Sequence, residues 1–352
     1  MDSFGYRINL VSEGDKTYFR FDNDYSIEIK EKIQKQYGKD LEVALTTSGM
    51  NAIYSSIVSI MSKWNWDSNT NIVLGDEMYT ETAGCITNFN KFYFNNKVKI
   101  FKVKIENDLD IIDLFEKNNK NKRVIFLLEP CTNPNGNVFN FSIIPKLREL
   151  CKQLVIIADI TWTPDLNAID LGVDIIVVSL TKHHSGSGCI MGTIINKTGL
   201  HLNINKYIKS SGIHISPYSC YILNDRINDM NERLEKAHNE VNKLAIELEK
   251  KYWVKKVNYP LLESHNSYKL AKKYEIRPTV LNVLMDIPGT INTVKEWLSS
   301  RENINFATSY GGKDSRIDPW FKNQKGTSYY WVRISVGYES KYEDIINSLE
   351  RW

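Results

Sequence analysis

The chain has 352 residues, with 45 Lys and Arg against 42 Asp and Glu and a formal net charge of +3; this balance leaves no basic or acidic footprint for nucleic acid or a membrane surface. No apolar run approaches the length of a membrane-spanning helix, and residues 1–7 lack the charged-then-apolar pattern of a signal peptide. Five cysteines without a C-x-x-C pair and six histidines without ligand spacing point to a reducing cytoplasm and to no bound metal.

Strand and helix alternate from about residue 31 to 212, which predicts a mainly parallel sheet in an α/β domain. Thr47-Ser48-Gly49-Met50 opens an apolar helix over 51–61, and N–H groups at a helix start beside a glycine form an anion site. A strand over 71–76 leads to Tyr79. The basic stretch 117–123 reads as a solvated turn before the strand 124–128. The strand 154–158 closes on Asp159, and the apolar run 174–181 closes on Lys182. The segment that follows, His183-His184-Ser185-Gly186-Ser187-Gly188, reads as polar and flexible. A long helix over 225–251 carries Ile227, Met230, Leu234, Ala237, Val241, Leu244 and Leu248 at three-and-four spacing, a core stripe. Strands at 280–286 and 331–336, with helices at 294–300 and 342–351, then read as a smaller α/β domain. The expected organisation is an arm over 1–30, a large domain over 31–212 and a small domain over 213–352.

A lysine ending a buried strand is the most informative single residue, because burial disfavours its ammonium and a free amine attacks an aldehyde. Taken singly, each candidate also has an ordinary reading. Lys182 can simply reach solvent, Asp159 can be a cap or turn residue, Ser48-Gly49 an N-cap, and Tyr79 a packing residue. Together they fall at consecutive strand ends, where open α/β sheets bind ligands. They match what pyridoxal phosphate requires. Lys182 would form the Schiff base, and Asp159 would keep the ring nitrogen protonated. Ser48, Gly49 and Met50 offer donors to the phosphate, and Tyr79 is a flat partner for the ring.

Longer motifs run in order through residues 18–352. They are Ser48-Gly49-Met50-Asn51-Ala52-Ile53, Gly75-Asp76-Glu77-Met78-Tyr79, Glu129-Pro130-Cys131-Thr132-Asn133-Pro134, Ala158-Asp159-Ile160-Thr161-Trp162-Thr163-Pro164, Ser179-Leu180-Thr181-Lys182, Ser309-Tyr310-Gly311-Gly312 and Val332-Arg333-Ile334-Ser335-Val336-Gly337. This series resembles the SGMAAI, GDDLY, ESPSNP, VDNTFATP, SATK, SLGG and VRLSVG signatures of the Cys/Met-metabolism family of pyridoxal-phosphate enzymes. That family includes cystathionine synthases and lyases, methionine lyases and homoserine-ester sulfhydrylases.

The resemblance implies an aspartate aminotransferase-like, fold-type I α/β architecture, with a seven-stranded-type sheet and a smaller C-terminal domain. It adds Asn133, Thr161, Ser179 and Thr181 to the cofactor contacts, Asn133 at the ring hydroxyl. It places Arg333 on the substrate α-carboxylate, with Ser309 and Asn133 beside it. Tyr79 or Tyr18 would assist Lys182 as acid or base. Tyr18-Phe19-Arg20 resembles an arm whose tyrosine and arginine reach the phosphate of a neighbouring subunit, which implies a homodimer with shared sites and leaves a homotetramer open. The implied reaction is β/γ-elimination or γ-replacement on a sulfur amino acid or an activated homoserine.

Three alternatives stand beside a lyase: a γ-replacement synthase, a specialised enzyme for a non-sulfur amino acid, and a non-catalytic protein on the same fold. The departures from the family pattern border the substrate. Thr80-Glu81 follows Tyr79 where the family has Gly-Gly or Gly-Cys, the loop after Lys182 lacks YINGHSD, and Thr308 stands where γ-acting members often carry glutamate. Intact Lys182, Asp159, Tyr79 and Arg333 weigh against the non-catalytic alternative.

Overall fold

Short runs rich in Ile, Val and Leu suit strands buried on both faces, and such runs form the central strands of the first sheet. The computed structural model describes residues 22–350. Its first part runs α1 (Asp24–Tyr37), β1 (Leu41–Thr46), α2 (Gly49–Lys63), β2 (Asn71–Gly75), α3 (Thr80–Phe94), β3 (Lys99–Val103), α4 (Asp108–Leu114), β4 (Arg123–Leu128), α5 (Ile144–Leu150), β5 (Gln153–Asp159), β6 (Ile175–Ser179) and β7 (Gly192–Lys197). The seven strands lie in the order β1-β7-β6-β5-β4-β2-β3. From β3 across to β6 the pairs are parallel, while β7 runs antiparallel to both β6 and β1. The C-terminal ends of β1, β2, β4, β5 and β6 therefore emerge along one edge, and that edge collects the site.

Each face of this sheet carries its own core. One includes Val73, Phe126, Ile156 and Val178, the other Leu74, Leu127, Ile157 and Val177, the alternation that a two-sided buried strand imposes. Local chemistry sets the helix starts. Asn23 and Ser26 form a reciprocal capping box at α1, and Ser48 caps α2 by accepting the Asn51 N–H at 3.1 Å.

The chain continues through α6 (Ile204–Ser210), α7 (Pro217–Arg226), α8 (Met230–Glu249), β8 (Val254–Asn258), α9 (Tyr268–Lys273), β9 (Val280–Asp286), α10 (Ile291–Ser299), β10 (Asn305–Phe306), β11 (Arg316–Ile317), β12 (Lys322–Asn323), β13 (Tyr329–Ser335) and α11 (Tyr342–Leu349). A second, six-stranded sheet has the order β10-β11-β13-β9-β8, with β12 paired to β13. Val241, Leu244 and Leu248 of α8 pack onto it with Val283, Val332, Ile345 and Leu349. The first core also draws in Cys220, Leu223, Ile227, Tyr274 and Ile276.

The single helix expected over 225–251 is two helices, with a 3-10 turn at Ile227–Asp229 between α7 and α8. The break has a partner: Arg233, one turn into α8, donates to the Arg226 carbonyl at 2.8 Å.

Candidate active site

Gly49 brings the start of α2 against the end of β6. A Cβ at Gly49 would lie 2.7 Å from the Ser179 Cβ and 3.0 Å from its Cα, closer than real side chains approach. The first N–H groups of this 15-residue helix therefore sit beside the Ser179 hydroxyl, at the positive end of the helix dipole.

From Ser179 a chain of hydrogen bonds reaches Asp159. The Ser179 N–H donates to Thr161 Oγ1 at 2.7 Å, and Thr161 donates from Oγ1 at 2.6 Å and from N at 3.0 Å to Asp159 Oδ1. Both bonds fall on one oxygen. The Thr181 hydroxyl is engaged instead by the Met191 backbone, N–H and carbonyl, at 3.2 and 3.3 Å.

Glu129, one residue past β4, accepts the Tyr79 N–H at 2.7 Å and the backbone N–H of Asn133. It fixes two predicted site residues by their main chains and leaves Tyr79 55% exposed. Burial, then the nearby Asp159 carboxylate, pushes Glu129 well above the ordinary carboxylate range. Burial also raises Asp159, against the two Thr161 hydrogen bonds, which favour its ionised form. Two carboxyls this close disfavour the doubly ionised pair, and the Thr161 hydrogen bonds favour the ionised form of Asp159.

Lys182 follows β6 and is half-buried. Its Nζ donates to Ser309 Oγ at 2.7 Å and stands 5.5 Å from the Tyr310 ring centroid. Burial first, then the Arg333 and Arg316 guanidiniums, lower its pKa. No carboxylate pairs with it among the described residues. Gly311 allows this approach: its φ is +82°, and a Cβ there would lie 2.7 Å from the Lys182 carbonyl carbon. Arg333 pairs with Asp318 at 2.5 Å, lies 5.6 Å from the Tyr310 ring centroid, and has a buried Nε with no partner among the described residues.

The structure thus brings Ser48, Gly49, Met50, Tyr79, Asn133, Asp159, Thr161, Ser179, Lys182, Ser309 and Arg333 to one edge, while Tyr18 and Arg20 lie outside the described residues. Sequence reasoning passed over Tyr310, Glu129, Asp318 and Arg316. Tyr310 is visible only as an aromatic where SLGG has leucine. Arg316 and Asp318 are two apart, the spacing of one strand face, but nothing local tells which face.

The loop after Lys182 departs from expectation. His183, His184, Ser185 and Gly186 are buried, because Arg226 takes the Ser185 carbonyl and Arg233 takes those of His183 and His184. Burial, then His184 and Arg233, pushes the His183 imidazole down to about 3. Burial, then Arg233, does the same to His184, whose ring nitrogens have no partner among the described residues.

A histidine neutral in the fold and protonatable when unfolded contributes stability that is complete above pH ~6.5 and lost as pH falls toward 3. Each should therefore cost about 2 kcal/mol by pH 5. Urea unfolding at pH 7.5 and 5 should show this loss, reduced by about 2 kcal/mol in His184→Phe. An identical pH loss in that variant would contradict the assignment.

The sequence profile of the Cys/Met metabolism PLP-dependent enzymes matches residues 4–351. Over 369 aligned positions the chain is 27% identical to an L-methionine gamma-lyase of Fusobacterium nucleatum subsp. nucleatum, covering 99% of this chain and 88% of that protein. Over 275 positions it is 28% identical to the cystathionine gamma-lyase of Homo sapiens, covering 74% and 67%. Among solved structures, an apo methionine gamma lyase from Micromonospora echinospora has a TM-score of 0.81 at 18% identity, over 98% of this chain and 90% of that one; this likeness establishes the fold. A profile match over nearly the whole chain, on a fold shared from end to end, makes this protein a member of the Cys/Met metabolism family of pyridoxal-phosphate-dependent enzymes, with the fold-type I architecture.

Proposed function

We propose that the protein catalyses elimination or replacement at Cβ or Cγ of an amino acid, with a sulfur amino acid or an activated homoserine as substrate class. The carrying observation is the Lys182 amine, desolvated and held by Ser309 on the same edge as Asp159 and Arg333. Relatives acting on methionine and cystathionine support the substrate class.

The residues present fit the cofactor. The cradle beside Ser179 is one that a Cβ at Gly49 would fill, and the half-buried Asp159 carboxylate has its two Thr161 hydrogen bonds gathered on one oxygen. Ser48, Gly49, Met50 and Ser179 would hold the phosphate, Asp159 the ring nitrogen, Tyr79 and Thr161 the ring, Asn133 its hydroxyl, and Lys182 the aldehyde carbon. Bound pyridoxal phosphate supplies an electron sink for charge left on the substrate Cα.

The protein's own residues do the rest. Arg333 grips the α-carboxylate by a bidentate fork and orients the Cα proton toward Lys182. Lys182 Nζ accepts that proton, since burial and the Arg333 and Arg316 guanidiniums disfavour its ammonium form, and returns it toward the leaving side with Ser309 as its hydrogen-bond partner.

The test is to incubate the purified, cofactor-loaded protein with L-methionine, L-cystathionine, O-acetyl- and O-succinyl-L-homoserine and non-sulfur amino acids, each with and without added thiol. Release of keto acid, ammonia or thiol from a γ-substituted substrate is expected. Turnover of non-sulfur amino acids alone would move the substrate class, and turnover of none would end the proposal.

The same reading includes a cytoplasmic two-fold dimer with shared sites, a tetramer being a pair of such dimers. Its supports are the Tyr18-Phe19-Arg20 resemblance and the five unpaired cysteines. Mixing inactive Lys182→Ala with inactive Arg20→Ala should restore activity, since hybrids contain one site bearing neither change. No recovery despite confirmed subunit exchange contradicts the shared site.

A further inference from the structure

β11 and β13 are antiparallel neighbours, with Arg316 opposite Ser335 and Ile317 opposite Ile334. One step further, the Asp318 N–H donates to the Arg333 carbonyl at 3.0 Å, which sets Asp318 opposite Arg333. Opposite residues share a sheet face, as do residues two apart along a strand. Arg316, Asp318, Arg333 and Ser335 therefore stand on one face. It meets the catalytic lysine through Ser309, whose carbonyl accepts from the Ser335 hydroxyl at 3.1 Å and whose hydroxyl holds Lys182.

The two guanidiniums on this face are not equivalent. Arg333 is neutralised by Asp318, a buried carboxylate that also accepts from the Thr308 hydroxyl at 3.1 Å. Arg316 donates from Nη1 to the Thr308 carbonyl at 2.9 Å and meets no carboxylate within ion-pair distance among the described residues. Two cations and one anion leave a single positive charge, and Arg316 carries it. Its field reaches the reacting centre, since Arg316 and Arg333 both act on the Lys182 amine. Gly312 leaves space for it: a Cβ there would lie 3.3 Å from Arg316 Nη2.

We propose that the substrate α-carboxylate is held between Arg333 and Arg316, with Asp318 as the positioning residue that fixes Arg333 and with Arg316 supplying the uncompensated charge. A carboxylate approaching Arg333 alone meets the negative Asp318 beside it, and a second guanidinium offsets that repulsion. This inference rests on reading the face around Arg333 as the carboxylate site.

The test titrates the cofactor-loaded enzyme with three ligands that carry no leaving group, followed by the visible absorbance of the bound cofactor. L-Norleucine has an α-carboxylate, pentylamine is the same chain without it, and L-2-aminoadipate adds a distal carboxylate. Arg316→Gln should weaken L-norleucine and L-2-aminoadipate alike, by about 10- to 100-fold. Pentylamine should change by less than about twofold, and Arg316→Lys should recover part of the loss. Unchanged L-norleucine binding overturns the inference, as does an equal loss for pentylamine. A loss confined to L-2-aminoadipate also overturns it, assigning Arg316 to a side-chain anion instead. Arg333→Gln separates the two readings. If it weakens L-norleucine while Arg316→Gln does not, this inference alone fails. If the wild type binds L-norleucine no better than pentylamine, the carboxylate site fails and the inference with it.

Discussion

Lys182→Ala should lower turnover by about a thousandfold or more, the scale of losing a positioned acid–base group, with covalent attachment of the cofactor lost as well. The expectation follows from how the fold treats this amine. Burial and two guanidiniums lower its pKa, and among the described residues its Nζ donates to the Ser309 hydroxyl. An amine whose ammonium form is disfavoured is the better nucleophile and base. Borohydride reduction of the wild type with pyridoxal phosphate should attach the cofactor to the Lys182 peptide, and the alanine variant should take up none. Folding should survive, because a half-buried lysine without a carboxylate partner adds little to stability. Label on a different lysine, or turnover within tenfold of wild type, would remove the basis of the functional reading.

Asp159→Asn should leave the fold and cofactor binding intact and reduce turnover by about 10²- to 10⁴-fold. The amide keeps an oxygen for the two Thr161 donors, so the local hydrogen bonds persist. It cannot hold a proton on the ring nitrogen, and without that proton the ring withdraws electrons poorly.

Stability should hold or rise. Asp159 and Glu129 both have raised pKa values in the fold, and a carboxyl raised in this way costs stability as pH climbs through its folded pKa. Removing one of the pair removes that cost at neutral pH. Parallel thermal melts and kcat measurements check both halves. A variant that keeps its activity sinks the pyridinium role, whereas one that unfolds makes Asp159 structural.

The strand ends were legible in the sequence because strands of this kind announce themselves. Asn71–Gly75, Arg123–Leu128 and Ile175–Ser179 are mainly apolar runs bounded by polar turns, and a parallel α/β order places Tyr79, Asp159 and Lys182 on one edge. Ser48 marked the helix start for a local reason, its side chain capping the Asn51 N–H, whereas the need for a residue without Cβ at Gly49 comes from Ser179, distant in sequence.

Other features depend on chain segments far apart in sequence, and only the tertiary structure decided them. His183 and His184 read as an open loop, yet Arg226 and Arg233 reach their segment across 41 to 50 positions and bury it. Tyr310 became the ring between Lys182 and Arg333 only because Gly311 lets that segment touch the lysine backbone. Arg316 and Asp318 acquired meaning from the register of β11 on β13. Local propensity and pattern determine which residues form a strand and where it ends. Register, charge pairing and burial are sums over distant neighbours, and they appear only when those neighbours meet.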